Sequence, residues 1–214
     1  MESVSAPENY HRWYYDEAVW RRTTFLGVPS AKSVCDMWNY QEILAERKPS
    51  LVVEYGTHAG GSALYFAEIL ALVSPRFRVL TVDIDHSLVA DRVRRHPSIE
   101  LLQSDTTSEA VLKRVGALRG EYPGAAFFVL DSDHRKDHVL AELTQLRSLT
   151  TAGDYVVVED GNINGHPVLP GWGAGPYEAL EEYHARFPGD YLVDCEREGK
   201  FGFTFAVNGF LVRR

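Results

Sequence analysis

Leu-Val-Val-Glu-Tyr-Gly-Thr-His-Ala-Gly-Gly-Ser, residues 51–62, is an apolar run closed by a carboxylate and then by a glycine-rich turn. The pattern predicts a strand over Leu51 to Tyr55, a turn over Gly56 to Gly61 and a helix from Ser62 to Leu72, with Leu64, Ala67 and Ala71 on its apolar rows. Two later runs repeat the device. Phe-Phe-Val-Leu-Asp-Ser-Asp-His spans Phe127 to His134, and Tyr-Val-Val-Val-Glu-Asp spans Tyr155 to Asp160. Strands rich in Val, Phe and Leu that end abruptly in acids read as parallel neighbours delivering their last side chains to one rim of a sheet. That rim is where open α/β sheets bind ligands. Asp131, Asp133, Glu159 and Asp160 gathered there would repel one another, and a hard divalent cation is the simplest remedy.

Working outward, Arg78 to Val82 reads as a strand ending at Asp83, followed by a helix through Leu88 and Val93 that stops before Pro97. Ile99 to Leu102 is a strand ending near Gln103, Ser104 and Asp105; Glu109 to Leu118 is helical; Ala126 to Leu130 and Tyr155 to Val158 are strands flanking a helix over His138 to Leu149. A Gly/Pro-rich loop from Gly161 to Pro176 leads into a helix from Tyr177 to Arg186. Alternation at this spacing predicts an α/β fold, a mainly parallel sheet with helices on both faces. The end departs from it. Tyr191 to Asp194, Phe203 to Val207 and Phe210 to Val212 look like strands with no helix between them, so they are expected to form an antiparallel hairpin at one edge, turning at Asn208-Gly209.

The 214 residues suit one well-buried domain, residues 50–214, preceded by an aromatic and charged helical segment, 1–49, that reads as a cover or lid. With 22 Lys+Arg against 30 Asp+Glu the net charge is -8, which argues against nucleic acid or an anionic membrane as partner. Two cysteines, Cys35 and Cys195, make no disulfide framework; the polar start has no signal-peptide pattern, and no apolar run is long enough for a bilayer. A cytoplasmic setting is the expectation.

The glycine turn admits close approach of a ligand to backbone, and a helix start offers free N–H donors. Glu54 would repel a pyrophosphate but suits an α-ammonium, and Asp83 suits the two hydroxyls of a ribose. Adenosine plus an amino acid describes S-adenosylmethionine. The strict G-x-G-x-x-G spacing of dinucleotide enzymes is absent.

These pieces together resemble the cephalosporin hydroxylase (CmcI-like) family: Trp38 to Leu44, Val53 to Leu64, Leu130 to His134, Val157 to Gly165 and Gly173 to Pro176 carry the match, which runs from about Phe25 to the C-terminus. Despite its historical name, that family has a class I methyltransferase fold, a Rossmann-like sheet, and its relatives include rhamnosyl and, more distantly, macrolide and aminocoumarin sugar O-methyltransferases. The resemblance implies that Glu54, Gly56, Gly60, Gly61 and Ser62 hold the methionine part of S-adenosylmethionine, Asp83 its ribose, and Ser104 and Asp105 its adenine, with Asp131 beside the cofactor. It implies Asp131, Glu159 and Asp160 as magnesium ligands and Asp133 as general base. Relatives that methylate sugars often carry Asp where this chain has Glu159.

In-line methyl transfer needs a positioned oxygen nucleophile that loses its proton, and a magnesium ion chelated by two substrate oxygens would fix and acidify it. Asp133 is the expected base, with His134 as competitor. Plainer readings exist: Asp133 or Asp137 as a helix cap, Asp160-Gly161 as an ordinary turn, and His134 with His138 as a packing pair rather than a zinc site. The loop from His166 to Pro176, with Trp172 among glycines, reads as a flap over an acceptor pocket. The resulting expectation is a magnesium-dependent O-methyltransferase acting on a sugar or vicinal-oxygen natural product of the kind made in antibiotic biosynthesis, and a homo-oligomer is expected, with the C-terminal residues as a candidate subunit contact. The rivals are a non-catalytic cofactor-binding partner protein and, from the family's name, a hydroxylation-associated protein. No histidine is followed two positions later by Asp or Glu, which disfavours an iron oxygenase.

Overall fold

The computed structural model describes residues 5–214; residues 1–4 of the expected N-terminal segment lie outside the described residues. Ser5 caps α1 (Ala6–Asp16) by accepting the Glu8 N–H, and a single 3-10 turn (Val19–Arg22) leads to a short hairpin of β1 (Thr24–Phe25) and β2 (Val28–Pro29). Ser33 likewise caps α2 (Val34–Arg47). The alternating region follows as β3 (Leu51–Tyr55), α3 (Gly61–Val73), β4 (Arg78–Asp83), α4 (Asp91–Arg94), β5 (Ile99–Gln103), α5 (Glu109–Glu121), β6 (Ala126–Leu130), α6 (Lys136–Leu146), β7 (Tyr155–Val158), α7 (Pro176–Arg186), β8 (Tyr191–Val193), α8 (Cys195–Gly199) and β9 (Phe210–Arg213).

The seven strands of the main sheet run in the order β5-β4-β3-β6-β7-β9-β8. The first five are parallel, and β9 pairs antiparallel with both β7 and β8. Every residue of β3, β6 and β7 is buried, as central strands covered on both faces require. Alternation sorts their side chains. Val52, Phe127, Val129 and Val157 join Tyr40 of α2 and Phe66 of α3 on one face, while Val53, Phe128 and Val156 meet Val115 of α5, Leu143 of α6 and Leu180 of α7 on the other.

Three local expectations are corrected. The segment through Leu88 is a turn with Leu88 exposed, and the helix there is the single turn α4. A short helix, α8, does fit between the edge strands. Residues 203–207 are not a strand: the Asp36 carboxylate accepts from Thr204 Oγ1 at 2.5 Å and from the Phe205 N–H at 2.8 Å, and the Phe205 carbonyl accepts from the Asn162 N–H at 3.1 Å, so the segment is held by α2 and the loop after β7 rather than by a neighbouring strand. Phe203 and Phe205 pack with Tyr14 under α1. The antiparallel edge therefore consists of β8 and β9, and Asn208 and Gly209 lead into β9 with Gly209 so close to β7 that a Cβ would lie 2.1 Å from the Val158 carbonyl oxygen.

Candidate active site

A cavity of about 850 Å³ opens at the C-terminal ends of the parallel strands. Gly56, Thr57, His58 and Ser62 line it from the turn after β3, Asp83 from β4, Asp105 and Thr106 from the segment after β5, Asp131 to Arg135 from β6, and Asp160 from β7. Tyr15, Trp20 and Ser30 of the N-terminal segment and Leu169 and Trp172 of the long loop close its sides.

The glycines of the turn serve packing as well as access. A Cβ on Gly56 would lie 1.9 Å from the Asp131 carbonyl oxygen, so the tips of β3 and β6 touch through backbone. Gly60 abuts the Val93 side chain at a left-handed φ of +84°, and Gly61 abuts β2, where a Cβ would sit 2.3 Å from the Pro29 carbonyl oxygen. Neither Gly60 nor Gly61 lines the cavity. Because α3 starts on Gly60, no side chain caps its first N–H groups.

Glu54 is fully buried beneath this turn; its Oε2 accepts from Thr81 Oγ1 at 2.7 Å, and its Oε1 has no hydrogen-bond partner. Burial pushes its carboxyl up to about 7, against the pull of Lys32, Ser62 and Thr81. Asp83 Oδ2 accepts the backbone N–H groups of Thr57 and His58 at 2.8 and 3.0 Å, pinning the glycine turn to β4. Asp105 accepts from Thr107 N and Oγ1, whereas Ser104 pairs its hydroxyl with Ser108 and does not line the cavity.

At the rim of β6 and β7, Asp131, His134 and Asp160 each offer a ligand atom within 4.8 Å of the others. His134 Nε2 lies 3.3 Å from Asp131 Oδ1 and 3.1 Å from Asp160 Oδ2. Burial opposes the imidazolium, but Asp160 and Asp131 outweigh it and raise His134 to about 9. Burial likewise works against the Asp131 charge, yet Lys32 and His134 hold its carboxyl below the usual range. Glu159 stands apart from this group: its Oε1 accepts from the Tyr40 hydroxyl at 2.5 Å and faces Lys32 Nζ at 3.0 Å. Asp133 lines the cavity and is paired with Arg135, which keeps its carboxyl low and ionised. His134 and His138 both line the cavity but form no metal-binding group together: His138 Nε2 lies 3.1 Å from Glu142 Oε1, and the group at the rim is Asp131, His134 and Asp160.

Three contributors were not foreseen from the sequence. Lys32 reaches Asp131 Oδ2 at 2.5 Å from a loop with no pattern of its own. Tyr40 lay within a matched motif without a role. Buried Glu142 accepts from Thr106 Oγ1 and Ser132 Oγ, both at 2.5 Å, bracing the loops after β5 and β6 from below; a lone Glu on the apolar face of α6 was its only signal.

A doubly covered parallel sheet with an antiparallel edge, and a cavity that joins a glycine turn to an acidic rim, define the class I methyltransferase architecture. The family described as rhamnosyl O-methyltransferase/CmcI matches residues 17–214, and the chain belongs to it. A rhamnosyl O-methyltransferase of Mycobacterium bovis is 56% identical over 211 residues, 99% of this chain and 86% of that protein; one of Mycobacterium leprae is 55% identical over 210 residues, 98% and 91%. Among solved structures, CmcI with magnesium and S-adenosylmethionine superposes at a TM-score of 0.68 and 19% identity, covering 91% of this chain and 77% of that one. The O-methyltransferase TomG from Streptomyces achromogenes superposes at 0.57 and 16%, covering 99% and 92%. The protein is an S-adenosylmethionine-dependent O-methyltransferase of this family.

Proposed function

We propose that the protein transfers the methyl group of S-adenosylmethionine to a hydroxyl of a rhamnose, or a closely related sugar, on a small glycosylated natural product, with magnesium at the acidic rim. The observation that carries this reading is that one cavity is lined at once by the glycine turn, by Asp83 and by Asp131, Asp133, His134 and Asp160. Donor and acceptor groups thus open into a single space, and the relatives at 55–56% identity are rhamnosyl O-methyltransferases.

Gly56 and Ser62 line the cavity where the methionine portion of the donor would lie, with Asp83 at the ribose and Asp105 near the adenine, while Glu54 is buried behind that wall and its unpartnered Oε1 is the group we assign to the α-ammonium. Ser104, Gly60 and Gly61 would support these groups from behind the cavity wall. The two carboxylates and imidazole of Asp131, Asp160 and His134 suit a divalent ion, with Glu159 behind them. When bound, magnesium supplies a template for two acceptor oxygens and lowers the pKa of the hydroxyl to be methylated. Asp133, ionised and facing the cavity, accepts that proton. Without an ion, His134 is held protonated by Asp160 and Asp131 and offsets their charge; it would release that proton to ligate an ion. Tyr15, Trp20 and Ser30 of the N-terminal segment and the loop carrying Trp172 wall the acceptor pocket. We place the reaction in the cytoplasm, in keeping with two free cysteines and no described helix long and apolar enough to cross a membrane.

Incubation with S-adenosylmethionine and a rhamnosylated acceptor, with magnesium or with a chelator, tests the reading. A methylated sugar formed with magnesium and lost with the chelator supports it; full activity in chelator removes the metal.

A further inference from the structure

Lys32 is only 2% exposed, and its place is set by the chain on both sides. Hairpin β1–β2 is pressed on the start of α3 at Gly61, and the next residue, Ser33, caps α2. The ammonium is thereby carried between the tips of β6 and β7, 2.5 Å from Asp131 Oδ2 and 3.0 Å from Glu159 Oε1. A buried ammonium is tolerated only when paired in this way. The same Glu159 oxygen also accepts from Tyr40, so it serves two donors, and Glu159 contributes no atom to the group formed by Asp131, His134 and Asp160.

Resting on the methyltransferase reading above, we propose that Lys32 takes the place of a divalent cation on half of the acidic rim. Its ammonium is shared between Asp131 and Glu159 and offsets one of their two charges, so that Glu159 serves the lysine rather than the metal, and a bound ion is left with Asp131 Oδ1, His134 and Asp160. The consequence is a weak metal site whose affinity is limited by the lysine, because ligand count and charge set the affinity of hard cations.

Mn²⁺ titration of the full chain, followed by electron paramagnetic resonance of the free ion, tests this in wild type, Lys32→Met, Glu159→Gln and the double variant. The expected result is Mn²⁺ binding about tenfold tighter in Lys32→Met than in wild type, with that gain removed by adding Glu159→Gln. Glu159→Gln alone is expected to leave wild-type affinity within about twofold. Lys32→Met binding no tighter than wild type, or Glu159→Gln alone weakening binding by about tenfold, would overturn the proposal. Should Lys32→Met fail to fold, the Glu159→Gln comparison decides by itself. S-adenosylmethionine titrated into the wild type reads the enzyme assignment separately: cofactor binding with an unaltered Mn²⁺ affinity in Lys32→Met rejects the role of Lys32 alone, whereas absent cofactor binding rejects the underlying reading.

Discussion

The Tyr40 hydroxyl donates to Glu159 Oε1 at 2.5 Å, tying the middle of α2 to the tip of β7 in a site with almost no solvent. Removing the hydroxyl leaves a buried carboxylate with one donor fewer. Tyr40→Phe is expected to lower stability by about 1–3 kcal/mol, measured by urea unfolding, since a lost hydrogen bond to a buried charged group costs that much.

His11 connects the N-terminal helix to the loop after β7. It is buried, stacks on Phe205 and lies 2.8 Å from Asn162 Nδ2 through its Nε2, an arrangement that suits the neutral ring. Burial, helped by Arg12, lowers it from 6.5 to about 4. The unfolded chain therefore binds a proton between those values that the folded chain does not, and stability must fall as pH drops through this window. Unfolding free energies measured from pH 7 to pH 4 should show a loss on the order of 3 kcal/mol attributable to this ring. His11→Gln should flatten that part of the profile; an unchanged slope would show that His11 does not supply it.

Gly61 and Gly116 make a matched pair. A methyl group at Gly61 meets the Pro29 carbonyl, whereas one at Gly116, inside α5, meets nothing within 4 Å. Gly61→Ala is expected to displace hairpin β1–β2, lower stability by about 1–3 kcal/mol and weaken cofactor binding through the disturbed turn. Gly116→Ala should stabilise by roughly 0.5–1 kcal/mol, from helix propensity and a less flexible unfolded chain. Thermal unfolding of both reads the contrast.

If Asp133 accepts the proton, Asp133→Asn should lower kcat by about 10²–10⁴-fold while leaving S-adenosylmethionine affinity nearly unchanged. Calorimetry and single-turnover methyl transfer separate the two effects. Equal loss of binding and rate would assign Asp133 to cofactor positioning.

Much of the architecture was legible because buried parallel strands write themselves as unbroken apolar runs, and because Glu54, Asp83, Asp131 and Asp160 stand where those runs stop. The edge was less so. Phe203 and Phe205 alternate like a strand, but the alternation fits the underside of α1, and the Phe205 backbone bonds go to Asp36 and Asn162. Lys32 was invisible for a different reason: Ser-Ala-Lys-Ser at 30–33 looks like an exposed loop, and its first partner is 99 residues away. Glu159 is legible as an acid at the end of β7, but its contacts with a lysine and a tyrosine from the N-terminal segment are not, because strand patterns do not reveal them.

The most direct test is transfer of a radiolabelled methyl group from S-adenosylmethionine to an alkyl rhamnoside, comparing wild type with Asp160→Asn. The account predicts labelled sugar ether from the wild type and strongly reduced product from the variant. Wild-type protein that forms no labelled sugar, or a variant that forms it at the wild-type rate, would contradict the claim that this acidic rim methylates a sugar hydroxyl.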